Sequence, residues 1–421
     1  MKTAFINLGC PKNQVDLEII LGSLSVQPAE LDDAEAVIIN TCAFIESAKR
    51  ESIDAIFEAV SVKEKHPELK IIVSGCLPQR YRDKIKALIP EVDHFVDTRE
   101  AEQTAEEIRR YLQLPVSPQG RRLLSPHHYA YLRIAEGCDN RCAYCAIPLI
   151  KGGYRSRPAA EILAEAHRLA EQGVKELLII AQDTTSYRDV DGIDLPQLLA
   201  RLDAVPGIQW IRLMYTHPAH WSDRLIEAFG GFEKVVPYAD IPIQHISDAL
   251  LQRMNRKTTR AQIEELIDRL RCRVPHIALR TTLLVGFPGE TDRDFEELLD
   301  FVETVRFDHL GVFTFSREEG TRAYRFKDDV PEEVKLERQQ EIMRRQIEIA
   351  EERNAEWIGR TVRVLVDESD AQSGIAYARC FHQAPEIDGN ILLPSIVAAG
   401  EFRTVKITDF ELFDLRGEII D

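Results

Sequence analysis

The sequence lacks any apolar run approaching the length of a membrane-spanning helix, which argues against a helical membrane protein. Its first residues, Met1 to Asn13, predict a short strand and a polar turn, without the long apolar segment and cleavage site of a signal peptide. We therefore expect a cytoplasmic location, where thiols stay reduced. The eight cysteines are then candidate metal ligands or core residues before they are candidate disulfide partners.

Basic residues are scarce relative to acidic ones, since 53 Lys and Arg face 70 Asp and Glu and leave a net charge of −17. A chain this acidic is a poor general binder of phosphate backbones, unless the total hides a basic face. Internal repeats and low-complexity tracts are absent as well. The apolar fraction of 44% is ordinary for a globular protein, and the length predicts about two to four domains.

The first part of the chain, residues 1–114, alternates short apolar strands with helices. Strands are predicted at Thr3–Leu8, Ala36–Asn40 and Lys70–Ser74. Helices are predicted at Val15–Leu24, Glu46–Lys65 and Gln79–Leu88. This order favours a parallel sheet with helices packed on it.

The segment Pro115 to Ser125 is typical of a linker, and strand–helix alternation then resumes over residues 124–354. Six strands are predicted there, at Tyr129–Ile134, Glu176–Ile180, Trp210–Met214, Ala239–Ile243, Arg280–Val285 and Leu310–Phe315. They fit a partial (βα)6 barrel, whose ligand sites lie at the strand C-termini. The charged segment Pro331 to Trp357 predicts a helix, which we interpret as a solvated connector.

Residues 357–421 change to short alternating strands and turns. Strands are predicted at Val362–Val366, Ile391–Leu393 and Thr404–Ile407. This pattern favours a small antiparallel β-barrel. The whole chain is therefore predicted to be an α/β protein with an N-terminal parallel α/β domain, a central partial barrel and a C-terminal β-barrel.

Three cysteines form a C-x3-C-x2-C motif at Cys138, Cys142 and Cys145. Three thiolates on one short loop can hold three corners of a 4Fe-4S cluster, and the fourth iron is then open to a small molecule. The alternative is a zinc knuckle. Zinc sites usually take four ligands from paired motifs, whereas here no second pair is near and the closest histidines, His127 and His128, lie upstream.

A second set of cysteines, Cys10, Cys42 and Cys76, follows three predicted strands of the first domain. The C-terminal ends of parallel strands share one edge of a sheet, so we expect these thiols to lie together there. The alternative is that each is a small buried residue. The pattern favours a second metal site with three ligands, and hence a second cluster with an open iron. We interpret Cys272 and Cys380 as structural.

Over its whole length the chain resembles the methylthiotransferase family of radical S-adenosylmethionine enzymes. The motifs that carry the resemblance lie at Leu8–Asp16, Asn40–Cys42, Ser74–Cys76, Cys138–Cys145, Ser156–Pro158, Gln182–Thr184, Pro242–His245 and Val285–Thr291. The resemblance implies three domains: a three-cysteine methylthiotransferase domain (1–114), a radical S-adenosylmethionine domain (124–354) and a C-terminal TRAM β-barrel (357–421).

The resemblance also implies the cofactors, which are two 4Fe-4S clusters and S-adenosylmethionine. The cluster of the C-x3-C-x2-C loop would bind S-adenosylmethionine and cleave it to a 5′-deoxyadenosyl radical, with electrons from a reductant such as flavodoxin or ferredoxin. Tyr144 would lie near the adenine, and Gln182 and the backbone at Gly286 are further candidate cofactor contacts. Gln182 could equally cap the next segment, and Gly286 could simply form a tight turn. No residue is assigned a catalytic role.

The sequence Gly-Cys-Pro-Lys-Asn at residues 9–13, together with His245, resembles the branch of the family that modifies a ribosomal protein. The implied substrate is the β-carbon of an aspartate in small-subunit ribosomal protein twelve. That carbon is unactivated, which explains the need for a radical, and the second cluster would carry the sulfur. The nearest alternative is the same reaction on an adenosine of tRNA. A further alternative is a non-catalytic iron–sulfur carrier.

Charge distinguishes the two substrates. From Ile358 to Asp421 the chain has six Lys or Arg against eleven Asp or Glu. A module that binds RNA phosphates should have the opposite sign, whereas an acidic module suits a basic ribosomal protein. We therefore expect ribosomal protein twelve to bind the acidic TRAM domain, and we regard tRNA as the less favoured partner.

Other polar residues carry weaker signals. Arg155 and Arg157 are candidates to bind a cosubstrate or substrate carboxylate, or else are surface arginines. Asp183, like Gln182, could contact a ligand or cap the following segment. We interpret His217 and His245 as packing residues rather than ligands.

Overall fold

The computed structural model describes residues 1–115 and 120–421, so residues 116–119 of the predicted linker lie outside the described residues. The chain forms two compact units. The first comprises Met1–Ser125, Glu136–Arg155 and Ser316–Tyr324, and the second comprises Pro126–Ala135, Ser156–Phe315 and Arg325–Asp421. Among the described residues, no helix is long and apolar enough to cross a membrane.

The first unit contains a five-stranded parallel sheet in the order β2-β1-β3-β4-β5. Its strands are β1 (Lys2–Asn7), β2 (Gln27–Pro28), β3 (Ala36–Thr41), β4 (Lys70–Gly75) and β5 (His94–Phe95). Its helices are α1 (Pro11–Ser23), α2 (Glu46–Lys65), α3 (Cys76–Tyr81), α4 (Asp83–Leu88), α5 (Ala101–Tyr111) and α6 (Ile147–Ile150). The central strand β3 is buried along its whole length, as expected where helices cover both faces of a parallel sheet.

The three predicted strands of this sheet and the helix Glu46–Lys65 are confirmed. The helix predicted over Gln79–Leu88 is instead two short helices, α3 and α4. Arg82, between them, has φ 46° and ψ −124°, a backbone conformation that a helix cannot contain. The apolar periodicity continues across this break, which is why the sequence pattern did not reveal it.

The second unit contains a six-stranded parallel sheet in the order β13-β12-β11-β10-β9-β6. Two short strands, β7 (Ala135–Glu136) and β8 (Arg155–Ser156), lie where the chain passes from one unit to the other. The six strands are β6 (Tyr129–Arg133), β9 (Glu176–Ile180), β10 (Trp210–Leu213), β11 (Val235–Asp240), β12 (Ala278–Val285) and β13 (His309–Thr314). The helices are α7 (Ala159–Glu171), α8 (Leu195–Asp203), α9 (Asp223–Gly231), α10 (Asp248–Arg253), α11 (Arg260–Arg273), α12 (Asp292–Val305) and α13 (Glu332–Ala355). This arrangement confirms the predicted partial (βα)6 barrel.

Strand β11 begins at Val235, four residues before the predicted start at Ala239, and it contains Pro237, a residue type that is unfavourable within a strand. A register shift against β10 between Ile211 and Leu213 accommodates the proline. The interpretation of α13 as a solvated connector is wrong. Ile342 and Ile349 are buried, and the Gln346 side chain donates to the Phe307 carbonyl at 3.0 Å, so α13 packs on the barrel.

The C-terminal residues form a closed five-stranded barrel in the order β14-β15-β16-β18-β17. Its strands are β14 (Thr361–Asp370), β15 (Ile375–Arg379), β16 (Ile391–Leu393), β17 (Phe402–Glu411) and β18 (Asp414–Ile419). Four of its five pairings are antiparallel, and β16 pairs with β18 in parallel.

Within the second unit, this small barrel packs against the N-terminal ends of the central strands through buried ion pairs. Arg379 of β15 lies 2.9 Å from Glu176, the first residue of β9, and Glu176 also pairs with Arg212 of β10 at 2.8 Å. Asp388 accepts from the Tyr238 hydroxyl at 2.6 Å. The N-terminal ends of the strands are thus covered, which leaves the C-terminal ends as the side for chemistry.

Candidate functional site

The three N-terminal cysteines lie at the carboxyl edge of the first sheet, as the sequence predicted. Cys10 precedes α1, Cys42 follows β3, and Cys76 follows β4 as the first residue of α3. Cys10 is exposed, whereas Cys42 and Cys76 are buried. Burial, together with the nearby thiols of Cys10 and Cys42, raises the pKa of Cys76 to about 12. The three sulfurs therefore lie within electrostatic reach of one another.

Asn13, a buried residue of α1, ties these strand ends together. Its Nδ2 donates to the carbonyl oxygens of Leu8 at 2.9 Å and Thr41 at 3.0 Å, and its Oδ1 lies 3.5 Å from the Cys76 sulfur. Asn40 donates in turn to the Asn13 carbonyl at 2.7 Å. This role of Asn13 was not predicted from the sequence, in which its position three residues after Cys10 is the available signal.

Two glycines permit the close approach of the cysteine loops. Gly9 has φ +96°, and a Cβ there would lie 2.8 Å from the Cys42 Cβ. Gly75 has φ +89°, and a Cβ there would lie 2.5 Å from the Thr41 carbonyl oxygen. A side chain at either position would be strained by its backbone and would push the loops apart.

We predict that Gly75→Ala displaces Cys76 and lowers the iron content of the anaerobically reconstituted protein, with a loss of unfolding free energy of about 1–3 kcal/mol. Gly192→Ala is the matched control, because Gly192 has a similar φ of +81° but open space where its Cβ would be. Iron assay and thermal unfolding measure both effects. Equal iron content in the two variants would contradict the prediction.

The loop that carries Cys138, Cys142 and Cys145 folds against a pair of glycines. The Cys138 N–H donates to the Gly152 carbonyl at 3.2 Å, and the Cys145 N–H donates to the Cys142 carbonyl at 3.1 Å. A Cβ on Gly137, which has φ +72°, would lie 2.1 Å from a backbone oxygen of the glycine pair. All three cysteines are partly exposed, so their thiols can be reached by a cofactor.

The end of this loop packs into the core of the N-terminal sheet, which the sequence did not indicate. Ala146, directly after Cys145, and Ile150 belong to the same apolar cluster as Cys76. The Lys151 ammonium forms a buried ion pair with Asp16 at 2.9 Å. Both cysteine sets therefore lie in one compact unit.

The donor sets suit clusters better than single ions. A mononuclear zinc site usually requires four ligands around a single centre. A 4Fe-4S cluster can be held by three cysteines that leave one iron open, and each set supplies three free cysteines.

The other candidate cofactor contacts are divided between the units. Tyr144 is partly exposed in the first unit. In the second unit, Gln182 follows β9 and its Oε1 is buried without a hydrogen-bond partner. Gly286 follows β12 with φ +71°, and a Cβ there would lie 2.2 Å from the Lys335 side chain. The packing of α13 thus requires this glycine independently of any ligand.

The candidate arginines have protein partners. Arg155 pairs with Glu100 at 2.8 Å. Arg157 pairs with Glu165 at 2.8 Å and donates to the Arg133 carbonyl at 2.6 Å. These contacts give both arginines a structural role.

Asp183 organises the turn after β9. It accepts from the hydroxyls of Thr185 at 2.5 Å and Ser186 at 2.7 Å, and it lies 2.8 Å from His220 Nδ1. His217 stacks on His220 at 4.8 Å, and burial lowers the pKa of His217 to about 2. Burial likewise lowers the pKa of His245 to about 4, so both His217 and His245 are neutral, buried side chains near pH 7.

Three family models match the chain. They are the Radical SAM superfamily over residues 132–302, the Uncharacterized protein family UPF0004 over residues 2–97, and the TRAM domain over residues 358–420. The second of these matches covers all three N-terminal cysteines, and the first covers the C-x3-C-x2-C loop.

Among solved structures, the radical S-adenosylmethionine methyltransferase TsrM from Kitasatospora setae is similar with a TM-score of 0.56, at 14% identity over 76% of each chain. The cobalamin-dependent radical enzyme OxsB is similar with a TM-score of 0.51, at 13% identity over 83% of this chain and 57% of that one. These likenesses show the fold alone.

Curated relatives match from end to end. The ribosomal protein uS12 methylthiotransferase RimO of Acetivibrio thermocellus is 43% identical over 100% of this chain and 98% of its own length. The enzyme of the same name from Pelobacter propionicus is 45% identical over 99% of this chain and 98% of its own length. With such identity across all three matched regions, the chain belongs to the radical S-adenosylmethionine methylthiotransferase family, in the branch of the ribosomal protein uS12 methylthiotransferases.

Proposed function

We propose that this protein replaces a hydrogen on the β-carbon of an aspartate in small-subunit ribosomal protein twelve, uS12, with a methylthio group. The observation that carries the proposal is the pair of three-thiol sets held in one compact unit, in a chain whose full-length relatives bear that activity in their names. The division into domains at 1–114, 124–354 and 357–421 belongs to the same proposal and is supported by the three matched regions.

Cys138, Cys142 and Cys145 are the proposed ligands of the cluster that binds S-adenosylmethionine. Tyr144, Gln182 and the backbone at Gly286 are the proposed contacts of S-adenosylmethionine itself. Cys10, Cys42 and Cys76 are the proposed ligands of the cluster that carries sulfur. When bound, these cofactors supply the radical, the sulfur and the methyl group, with electrons from a reductant such as flavodoxin or ferredoxin.

The residues around the N-terminal thiols shift the pKa values of Cys42 and Cys76. Burial raises the pKa values of Cys42 and Cys76, so both thiols are protonated near pH 7 and must lose their protons when they bind iron. The Lys151 ammonium lowers the pKa of Cys76 and so offsets part of this cost. Asp16 holds Lys151 in place at 2.9 Å.

Acidic residues of the C-terminal barrel are the proposed contacts of uS12, but fewer are available than composition suggested. Asp367 is paired internally with Arg379 at 2.6 Å and with His128 at 2.8 Å. The Asp388 side chain is 2% exposed. Glu368 and Glu418 are exposed, and such surface carboxylates can attract a basic protein.

The proposal is tested by mass spectrometry of uS12 and of tRNA from cells with and without this gene. We expect uS12 to lose one methylthio group in the mutant cells while tRNA is unchanged. A change in tRNA with none in uS12 would move the activity to the adenosine alternative. A non-catalytic carrier would leave both unchanged, and the reduced protein would form no 5′-deoxyadenosine from S-adenosylmethionine.

A further inference from the structure

We propose that an extended, basic segment of the ribosomal protein docks in a groove of the first unit, between the open edge of β1 and the N-terminal half of α2. We call it the β1–α2 groove. Its volume is about 770 Å³, and it is lined by Ile6, Leu8 and Ala55 and by the carboxylates of Glu51, Asp54 and Glu58. This inference rests on the proposed function and assigns part of the substrate-binding surface.

The edge of β1 is paired over only part of its length. β2 pairs with β1 at Lys2 and Thr3 and then ends at Pro28. The Thr3 carbonyl accepts from Ala29 on this side, and backbone groups of a parallel strand alternate between its two neighbours. The N–H and C=O groups of Phe5 and Asn7 therefore point to the same side, where no strand among the described residues pairs with them.

The wall of the groove is acidic and has few internal counterions. Glu51, Asp54 and Glu58 follow one another at helical spacing on α2, so they share a face, and all three are exposed. Among the described basic side chains, none forms an ion pair with these three. Arg50 is the cation that lines the groove, while Glu46 at its end is paired with Lys49 at 2.7 Å.

These features specify the chemistry of the occupant. An extended peptide can add to an open strand edge through main-chain hydrogen bonds and place alternate side chains in pockets. Unpaired carboxylates along one wall select lysine or arginine side chains and repel phosphate. Ribosomal proteins are typically basic, so a segment of the substrate meets both requirements, whereas RNA does not.

The groove also leads toward the thiols. β1 runs from Lys2 to Asn7 and its chain continues to Cys10. Glu51 directly precedes Ser52, whose hydroxyl accepts from the Cys42 N–H at 2.9 Å. A segment paired with Phe5 and Asn7 would therefore be held beside the edge of the sheet where the N-terminal cysteines lie.

The test compares binding of purified uS12 to reconstituted wild type and to two charge-reversed variants. Asp54→Lys with Glu58→Lys changes the groove and avoids Glu51, which is near Cys42. We expect the dissociation constant to rise about tenfold or more for this variant. The matched control, Glu64→Lys with Glu68→Lys, makes an equal charge change at exposed positions outside the groove and should change binding less than about twofold.

Hydrogen exchange resolved to single amides supplies the second readout. Binding of uS12 should protect the amides of Phe5 and Asn7, since these face the open edge. Unchanged exchange at both amides, or equal affinity of the two variants for uS12, would contradict docking of uS12 in the β1–α2 groove. Concentration-dependent protection without uS12 would identify a second copy of the chain as the occupant and would also contradict docking of uS12 there.

If the groove variant modifies uS12 with unaltered kcat/KM, docking in the β1–α2 groove is contradicted while the proposed function stands. If wild type neither binds nor modifies uS12, the proposed function itself fails.

Discussion

Replacing Cys138, Cys142 and Cys145 together with alanine is expected to lower the iron content of the anaerobically reconstituted protein from about eight to about four per chain. Formation of 5′-deoxyadenosine and of methylthiolated product should fall by at least about a thousandfold. Product formation depends on the radical, because no side chain acting as a base in water removes hydrogen from an unactivated carbon at a useful rate. Iron assay and chromatography of the S-adenosylmethionine products measure both effects.

The three thiols are partly exposed, so their loss should leave no large core cavity and the variant should fold. Circular dichroism and gel filtration check this. Cys272→Ala is the control, because Cys272 is an exposed cysteine outside both sets, and it should retain about eight irons and full activity. A wild-type iron content near four would contradict the assignment of two clusters.

Replacing Cys10, Cys42 and Cys76 with alanine is expected to separate the two parts of the reaction. The protein should keep about four irons and should still cleave S-adenosylmethionine, because the ligands of the other cluster are unchanged. Methylthiolated uS12 should disappear, since sulfur can no longer be presented. Product formation at the wild-type rate would show that these cysteines are not the sulfur site.

The structure adds a requirement to this experiment. Cys76 shares an apolar cluster with Ala146 and Ile150, next to the C-x3-C-x2-C loop, so the triple variant can disturb the thiols of that loop through packing. Cys10→Ala avoids that effect, because Cys10 is exposed. This single variant should also lose product while it cleaves S-adenosylmethionine at close to the wild-type rate. Loss of cleavage in Cys10→Ala would mean that the two sites are coupled rather than independent.

Local features of the sequence determined much of the fold. Apolar runs bounded by turn residues fixed most strands to within two residues, as with Glu176–Ile180, which was predicted without error. The cysteine placements followed from topology, since thiols just past parallel strands must share one edge. Gly9 and Gly75 stand directly before Cys10 and Cys76 in the sequence, and close backbone approach demands glycine at such positions. These features depend on neighbours in the chain, so the sequence contains them directly.

Tertiary structure decided what depends on distant partners. The charged helix α13 is a packing element because Ile342 and Ile349 meet the barrel, and charge density alone could not reveal that contact. Asp367 counted as surface charge in the sequence, yet Arg379 neutralises it internally and His128 is hydrogen-bonded to it. The C-x3-C-x2-C loop joins the N-terminal core through Ile150 and the pair Lys151–Asp16. In each case the stabilising free energy comes from burying or pairing residues that are far apart in the chain. Neither composition nor local periodicity indicates which distant groups come into contact.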